Sequence, residues 1–351
     1  MSTYETAKTQ YVASSTGKFA YRRLGASQGT PLLCLIHFRG TMDKWDPLLI
    51  NSLAEVRLVI LVDYLGIGQS EGRVAPSFRE SAEDIAEFLS LINIDKIDLL
   101  GFSIGAFVVQ LIALNHGDKL NVEHLIICGS SSSVGPDMPE TKNDYITDAT
   151  VKNLEVQHFK SLFFARTSEG GKAADDWWAR LGARTESTSG EKPTNWASQG
   201  LKDEGKAMMA QGQAYAGFQN ASSSQGRDGT YDRLSELKMP VLVAQGSDDW
   251  MFPTLNSFLF QQKVSNGQLI VYPNMFSILP MILLLLVALV PLAGIAANVF
   301  VAWYGLESYF ILYRRSNWKR EDYSCFASYG VLRDCSGVQA MEMKPFQNTS
   351  S

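Results

Sequence analysis

A serine set between two glycines at the junction of an apolar run and a helical pattern is the most restrictive feature of this 351-residue chain. The stretch reads Leu99-Leu100-Gly101-Phe102-Ser103-Ile104-Gly105-Ala106, a G-x-S-x-G pattern. Residues 97–100 are apolar except for Asp98 and read as a strand, and residues 104–116 carry apolar side chains at helical spacing. A strand turning this sharply into a helix holds the serine in a strained backbone conformation. Side chains at the flanking positions would collide with it, which is why Gly101 and Gly105 stand there. The turn is expected to lift the Ser103 hydroxyl above the sheet, exposed to a substrate.

The rest of the chain supplies the setting such a turn needs. Residues 10–14 and 18–23 read as an edge hairpin turning at Ser15-Thr16-Gly17. Residues 32–36 form a fully apolar run, the first central strand, and lead into His37-Phe38-Arg39-Gly40. Residues 56–62 read as the next central strand, ending in Asp63-Tyr64-Leu65-Gly66-Ile67-Gly68-Gln69-Ser70. Residues 77–92 carry the stripe of an amphipathic helix, with Ser77 as N-cap and Glu80 closing a capping box. A further strand is expected at 125–128. Strands alternating with helices imply a mainly parallel sheet covered on both faces.

The alternation stops at Gly129-Ser130-Ser131-Ser132-Ser133. Residues 130–235 are polar and helical in composition and are expected to form an inserted cap, with helices at 147–164, 172–181 and 203–218. Trp177, Trp178, Tyr215 and Phe218 are candidates for a pocket wall, or ordinary packing. The sheet resumes at 240–244, followed by Gln245-Gly246-Ser247-Asp248-Asp249-Trp250-Met251-Phe252-Pro253, a helix at 254–263 and a last strand at 268–272.

This order of pieces resembles the α/β-hydrolase family: His37-Phe38-Arg39-Gly40, Asp63-x-x-Gly66-x-Gly68-x-Ser70, the Ser103 turn, a cap, then Gly246-x-x-Asp249 and Pro253. Phe38-Arg39-Gly40 and Asn256-Ser257 are similar to a fungal branch often encoded in secondary-metabolite gene clusters. The resemblance spans about residues 8–274, with a core at 8–129 and 236–274. It implies that Ser103 is the nucleophile, that Asp249 is the triad acid, and that the backbone N–H groups of Phe38 and Ile104 form the oxyanion hole. No cofactor is expected.

Serine needs a base to take its proton, and in this family a histidine after the last strand supplies it. This chain instead reads Val271-Tyr272-Pro273-Asn274-Met275-Phe276, and no histidine follows Asp249. Its four histidines are His37 in the oxyanion loop, His116 at the end of the helix after Ser103, His124 opening a strand expected at the far edge of the sheet, and His158 in the cap. Only His158 is placed to reach a pocket.

In place of the histidine segment, residues 278–304 are almost continuously apolar, long enough to cross a bilayer. Trp303, Tyr304 and Tyr309 form an interfacial aromatic belt, with Arg314, Arg315, Lys319 and Arg320 beyond it. The expectation is a single-pass transmembrane helix at 278–304, a cytosolic hydrolase domain, since no secretory signal opens the chain, and a polar tail at 318–351. A formal charge of -5 leaves no basic footprint for nucleic acid. Cys34, Cys128, Cys325 and Cys335 have no metal-ligand spacing, so no metal is expected, and the first two read as reduced core residues.

Three functional readings follow. One is a membrane-anchored serine hydrolase acting on an ester, thioester or lactone of a small apolar metabolite. The second is a non-catalytic, hydrolase-like binding protein. The third is a misread C-terminus that hides an intact soluble serine hydrolase.

Overall fold

Leu32-Leu33-Cys34-Leu35 are all fully buried with no in-out alternation, the mark of a strand covered on both faces. The computed structural model describes residues 2–139, 145–272 and 311–313, the last three by their backbone alone. In chain order, β1 (Gln10–Ala13) and β2 (Gly17–Gly25) precede β3 (Leu32–Leu35), α1 (Pro47–Val56), β4 (Leu58–Val62), the short β5 (Glu71–Gly72) and α2 (Phe78–Leu91). There follow β6 (Lys96–Phe102), α3 (Ile104–His116) and β7 (Asn121–Cys128). The chain then runs through α4 (Ile146–Ala149), α5 (Val156–Phe163), α6 (Ser168–Leu181), α7 (Glu186–Ser189) and α8 (Lys206–Phe218). It re-enters the sheet at β8 (Val241–Gly246), then α9 (Thr254–Lys263), β9 (Gly267–Tyr272) and β10 (Ile311–Tyr313).

The sheet order is β1-β2-β4-β3-β6-β7-β8-β9-β10, with β5 against β2. The strands from β4 to β9 pair in parallel, while β1, β2, β5 and β10 pair antiparallel. A mainly parallel sheet of this order puts the loops after β3, β6 and β8 at one end. Those loops carry His37–Gly40, Ser103 and Asp249, and ligands of open α/β sheets bind at that end.

Several expectations need correction. Val56 closes α1 rather than opening a strand, and α1 itself was foreshadowed by Asp46-Pro47: the Asp46 carboxylate caps Leu48 N–H at 3.0 Å and Pro47 occupies the first turn. Ser77 caps α2 through Glu80 N–H at 3.1 Å, but the Glu80 carboxylate accepts from Arg73 at 2.9 Å. The helix expected over 147–164 is broken between α4 and α5, because the carbonyls of Ala149 and Val151 turn to accept from buried Arg39 at 3.2 and 2.7 Å. β7, which contains His124, lies mid-sheet between β6 and β8 and not at an edge.

The expected transmembrane helix at 278–304 and the polar tail at 318–351 lie outside the described residues. Among the described residues no helix is long and apolar enough to cross a membrane. Cys34 and Cys128 are free, buried thiols, both held protonated by burial; Cys325 and Cys335 lie outside the described residues.

Candidate functional site

Ser103 has φ 55 and ψ -124, a backbone conformation that L side chains rarely adopt. Three bonds hold it there. Its N–H donates to the Cys128 carbonyl at 3.0 Å, and its own carbonyl accepts from Ala106 N–H at 3.0 Å and from the Ser130 hydroxyl at 2.9 Å. The flanking glycines are steric necessities: a Cβ on Gly101 would sit 2.4 Å from Ala106 Cα, and one on Gly105 would sit 2.1 Å from the Leu35 carbonyl oxygen. Ile104 opens α3, so the helix itself offers its N–H no acceptor. Ser103 is 7% exposed.

The loop after β3 is tied to the segment between β7 and β8 by Arg39, whose φ of 62 is also strained. The Arg39 guanidinium is fully buried and donates to the carbonyls of Ala197 (2.8 Å), Ala149 (3.2 Å) and Val151 (2.7 Å). Its backbone N–H donates to the Gln211 side chain at 2.9 Å, and its carbonyl accepts from Ala197 N–H at 2.8 Å. Burial lowers its pKa to about 10, so it stays charged at neutral pH. The neighbouring Phe38 is half-buried.

Asp249 follows β8 and is buried. One carboxylate oxygen, Oδ1, accepts from Met251 N–H at 3.0 Å and Phe252 N–H at 2.8 Å; the other, Oδ2, is buried and has no partner among the described residues. Burial pushes the acid up to about 8, so it is largely protonated at neutral pH. Gln245 Oε1, Trp250 Nε1, Asn256 Oδ1 and Ser257 Oγ are buried and unpaired in the same way. Tyr145, whose hydroxyl donates to Tyr215 at 2.9 Å and whose ring packs on Trp250, is near enough to feel the Asp249 charge.

None of the four histidines pairs with Asp249. His37 is buried with Nδ1 2.8 Å from the Phe38 carbonyl, and its ring packs against Phe102, Phe159, Phe163 and Trp196; burial lowers it to about 4, so it is neutral. His116 is the last residue of α3. His124 Nδ1 lies 2.8 Å from Asp98, which is level with it across β6 and β7 and five residues back along the strand from Ser103. His158 is used at the start of α5, where its Nδ1 accepts from Glu155 N–H at 3.1 Å. The pocket expectation for the aromatics divides: Trp177 is fully buried against Phe159 and Phe164, Tyr215 and Phe218 pack on Phe107, and half-buried Trp178 lines a cavity with Trp196. Among the described residues no group of three or more His, Cys, Asp or Glu is placed to hold a metal.

Two features were missed in the sequence. The serine run 130–133 reads as a loop, yet all four residues are buried. Ser130 braces Ser103, and Ser133 Oγ accepts from Thr230 and Tyr231 N–H at 2.9 and 3.0 Å, joining the two ends of the helical insertion. Arg39 was read only as part of a motif; a charged residue flanked by Phe and Gly at the end of an apolar strand was the available signal.

A fold of this order, with a strained serine at the end of β6 and a buried acid after β8, defines an α/β hydrolase. The model of the alpha/beta hydrolase fold family matches residues 31–276, and the chain belongs to that family. Among solved structures, an alpha/beta hydrolase fold protein from Chitinophaga pinensis superposes with a TM-score of 0.69 at 28% identity, covering 81% of this chain and 96% of that one. The enol-lactonase from Burkholderia xenovorans LB400 superposes with a TM-score of 0.56 at 15% identity, covering 75% and 90%, a likeness of fold alone. A curated relative, a 1-acylglycerol-3-phosphate O-acyltransferase of Arabidopsis thaliana, is 27% identical over 252 residues, 64% of this chain and 57% of its own length. The chain thus spans little more than half of that relative.

Proposed function

We propose that this protein is a serine-hydrolase-type enzyme for an ester, thioester or lactone of a small apolar metabolite, of the kind that serves fungal secondary metabolism. Ser103 is the nucleophile, Asp249 the acid, and the Phe38 and Ile104 N–H groups the oxyanion hole. The observation that carries the reading is the Ser103 backbone at φ 55 and ψ -124, braced from β7 and by Ser130. Strain of this kind costs about 1–3 kcal/mol and persists where the surroundings enforce it, typically at active sites. Attack on an acyl carbon by Ser103 would place the developing negative charge at the start of α3, where the helix dipole and unpaired N–H groups favour it.

Without an imidazole between Ser103 and Asp249, turnover is residual, about 10³ to 10⁴ over water from positioning and the oxyanion hole. The protonated state of Asp249 at neutral pH gives specific support to the second reading, a non-catalytic protein that binds the same metabolite class. A panel of activated esters, thioesters and lactones assayed with the full-length chain and its Ser103→Ala variant separates these readings. Slow hydrolysis that added imidazole raises only when Ser103 is present supports the enzyme, and binding with no Ser103-dependent chemistry even in imidazole supports the alternative. Fast turnover abolished by Ser103→Ala shows that a base is present, and directs attention to the transcript across the codons for residues 271–279.

Membrane attachment through 278–304 is part of the same proposal, supported by the length of the apolar run. Ile311 pairs with Val271 at the edge of the sheet. The full-length protein should resist alkaline carbonate, and a chain ending at Asn274 should not. A single pass through 278–304 puts Arg314 and Arg315 across the bilayer from the hydrolase core, whereas the pairing of β10 with β9 keeps residues 311–313 beside it. Trypsin cleavage after Arg314 or Arg315 on the core's own side in sealed vesicles would overturn the single pass.

A further inference from the structure

Beside the loop after β3, a cavity of about 360 Å³ opens between Lys44, Leu154, Trp178, Leu181, Asn195 and Trp196. Neither Ser103 nor Asp249, Phe38 nor Ile104 lines it. The size falls in the range of small-molecule sites. One wall is aromatic: the rings of Trp178 and Trp196 lie 6.1 Å apart between centroids and 23° from parallel. Leu154 and Leu181 extend that wall with aliphatic surface.

The cation at the cavity is unbalanced. Lys44 is half-buried, and its Nζ lies 4.9 Å from the centre of the Trp196 ring. No ion pair to Lys44 forms among the described residues. Asp43, its neighbour in the chain, is already held by Arg22 at 2.6 Å, Arg184 at 3.2 Å and Thr194 at 2.8 Å. Gln199 is engaged as well, exchanging both amide groups with the Leu154 backbone at 3.0 and 3.2 Å. Burial lowers the Lys44 pKa, and the nearby Asp43 charge, already shared with two arginines, offsets this only in part. A desolvated ammonium next to an open apolar wall is satisfied best by an anion with an apolar body.

We propose that this cavity is a second binding site, which takes an aryl-substituted or short-chain carboxylate with its carboxylate on Lys44 and its apolar body on Trp178 and Trp196. The site is coupled to the loop after β3 by contact. Trp196 packs on His37 at 5.6 Å between ring centroids, and the next residue, Ala197, accepts from the Arg39 guanidinium and donates its N–H to the Arg39 carbonyl. An occupant therefore packs against Trp196, which touches His37, the residue before Phe38.

The test is calorimetry on the full-length chain with 4-phenylbutyrate, using 4-phenylbutanol as the neutral analogue and inorganic phosphate as an anion without an apolar body. The expected result is saturable binding of 4-phenylbutyrate, at least tenfold tighter than 4-phenylbutanol and not displaced by equimolar phosphate. Lys44→Met should weaken it at least tenfold, Lys44→Arg should keep it within about threefold, and Ser103→Ala should leave it unchanged. Trp178→Ala, on the half-buried face of α6, should weaken both the acid and the alcohol, and serves if Lys44→Met fails to fold. Absence of saturable binding, equal affinity for acid and alcohol, unchanged affinity in Lys44→Met, or loss of binding in Ser103→Ala would each overturn the proposal.

Discussion

Arg39 and Ala197 bond to each other twice: the guanidinium Nε donates to the Ala197 carbonyl at 2.8 Å, and Ala197 N–H donates to the Arg39 carbonyl at 2.8 Å. With Ala149 and Val151 also on the guanidinium, one buried side chain joins the loop after β3 to two distant parts of the helical insertion. Removing it leaves the buried Ala197 carbonyl and the half-buried Ala149 and Val151 carbonyls without that donor, a loss of about 1–3 kcal/mol for a fully buried group and less for a half-buried one. Arg39→Ala should therefore lower the urea midpoint by an amount equivalent to about 3 kcal/mol. Arg39→Lys should recover little, because a single ammonium cannot span a planar fork of acceptors. Full recovery by lysine would show that charge and not geometry is what the loop needs.

The strain at Ser103 predicts an inverted substitution series. Glycine accepts φ 55 with ψ -124 at little cost, whereas alanine does not. Ser103→Gly should be more stable than Ser103→Ala by about 1–3 kcal/mol in urea unfolding, although glycine ordinarily weakens a folded chain. Equal stabilities would mean that the backbone there is relaxed.

How much of this was legible depended on whether the information was local. The elbow, its glycines and α3 could be read from adjacent residues, because sterics between Gly101, Gly105 and their neighbours act within a few positions. The mainly parallel sheet followed from strands alternating with helices along the chain, and the first central strand from the apolar run at residues 32–36. Partners distant in the chain were not legible: Ser130 bracing Ser103, Ser133 closing on Thr230, and Arg39 reaching Ala149, Val151 and Ala197 across 110 or more residues. The break at residue 150 was hidden for the same reason, since helical periodicity cannot report a carbonyl drawn away by a remote guanidinium. His158 shows the reverse error, a residue whose type suggested chemistry and whose local geometry makes it a helix cap.

Asp249 predicts a pH dependence. Its folded pKa, near 8, lies above the ordinary carboxylate value, so between about pH 4 and pH 8 the folded state holds a proton that the unfolded chain releases. Its contribution is therefore fully present below about pH 4 and is lost as pH rises towards 8. Asp63, raised to about 7 by burial, acts in the same direction over a narrower range. Asp249→Asn keeps an oxygen for Met251 and Phe252 N–H but cannot ionise. Urea unfolding at pH 5, 7 and 9 should show the Asn variant gaining on the parent as pH rises. A difference that stays constant with pH would place the Asp249 pKa near its ordinary value.

The central claim is that Ser103, the oxyanion loop and Asp249 make up a hydrolase site whose missing component is an imidazole. It is tested most directly by 4-nitrophenyl acetate hydrolysis titrated with added imidazole at pH 8.5, where Asp249 is ionised. In the absence of imidazole, hydrolysis should be slow and Ser103→Ala should change it little, because triad members act as a unit and their losses do not add. Added imidazole should then produce a saturable increase above the solution reaction, present in the parent chain and absent from both Ser103→Ala and Asp249→Asn. The same imidazole response in the parent and in Ser103→Ala would contradict the account.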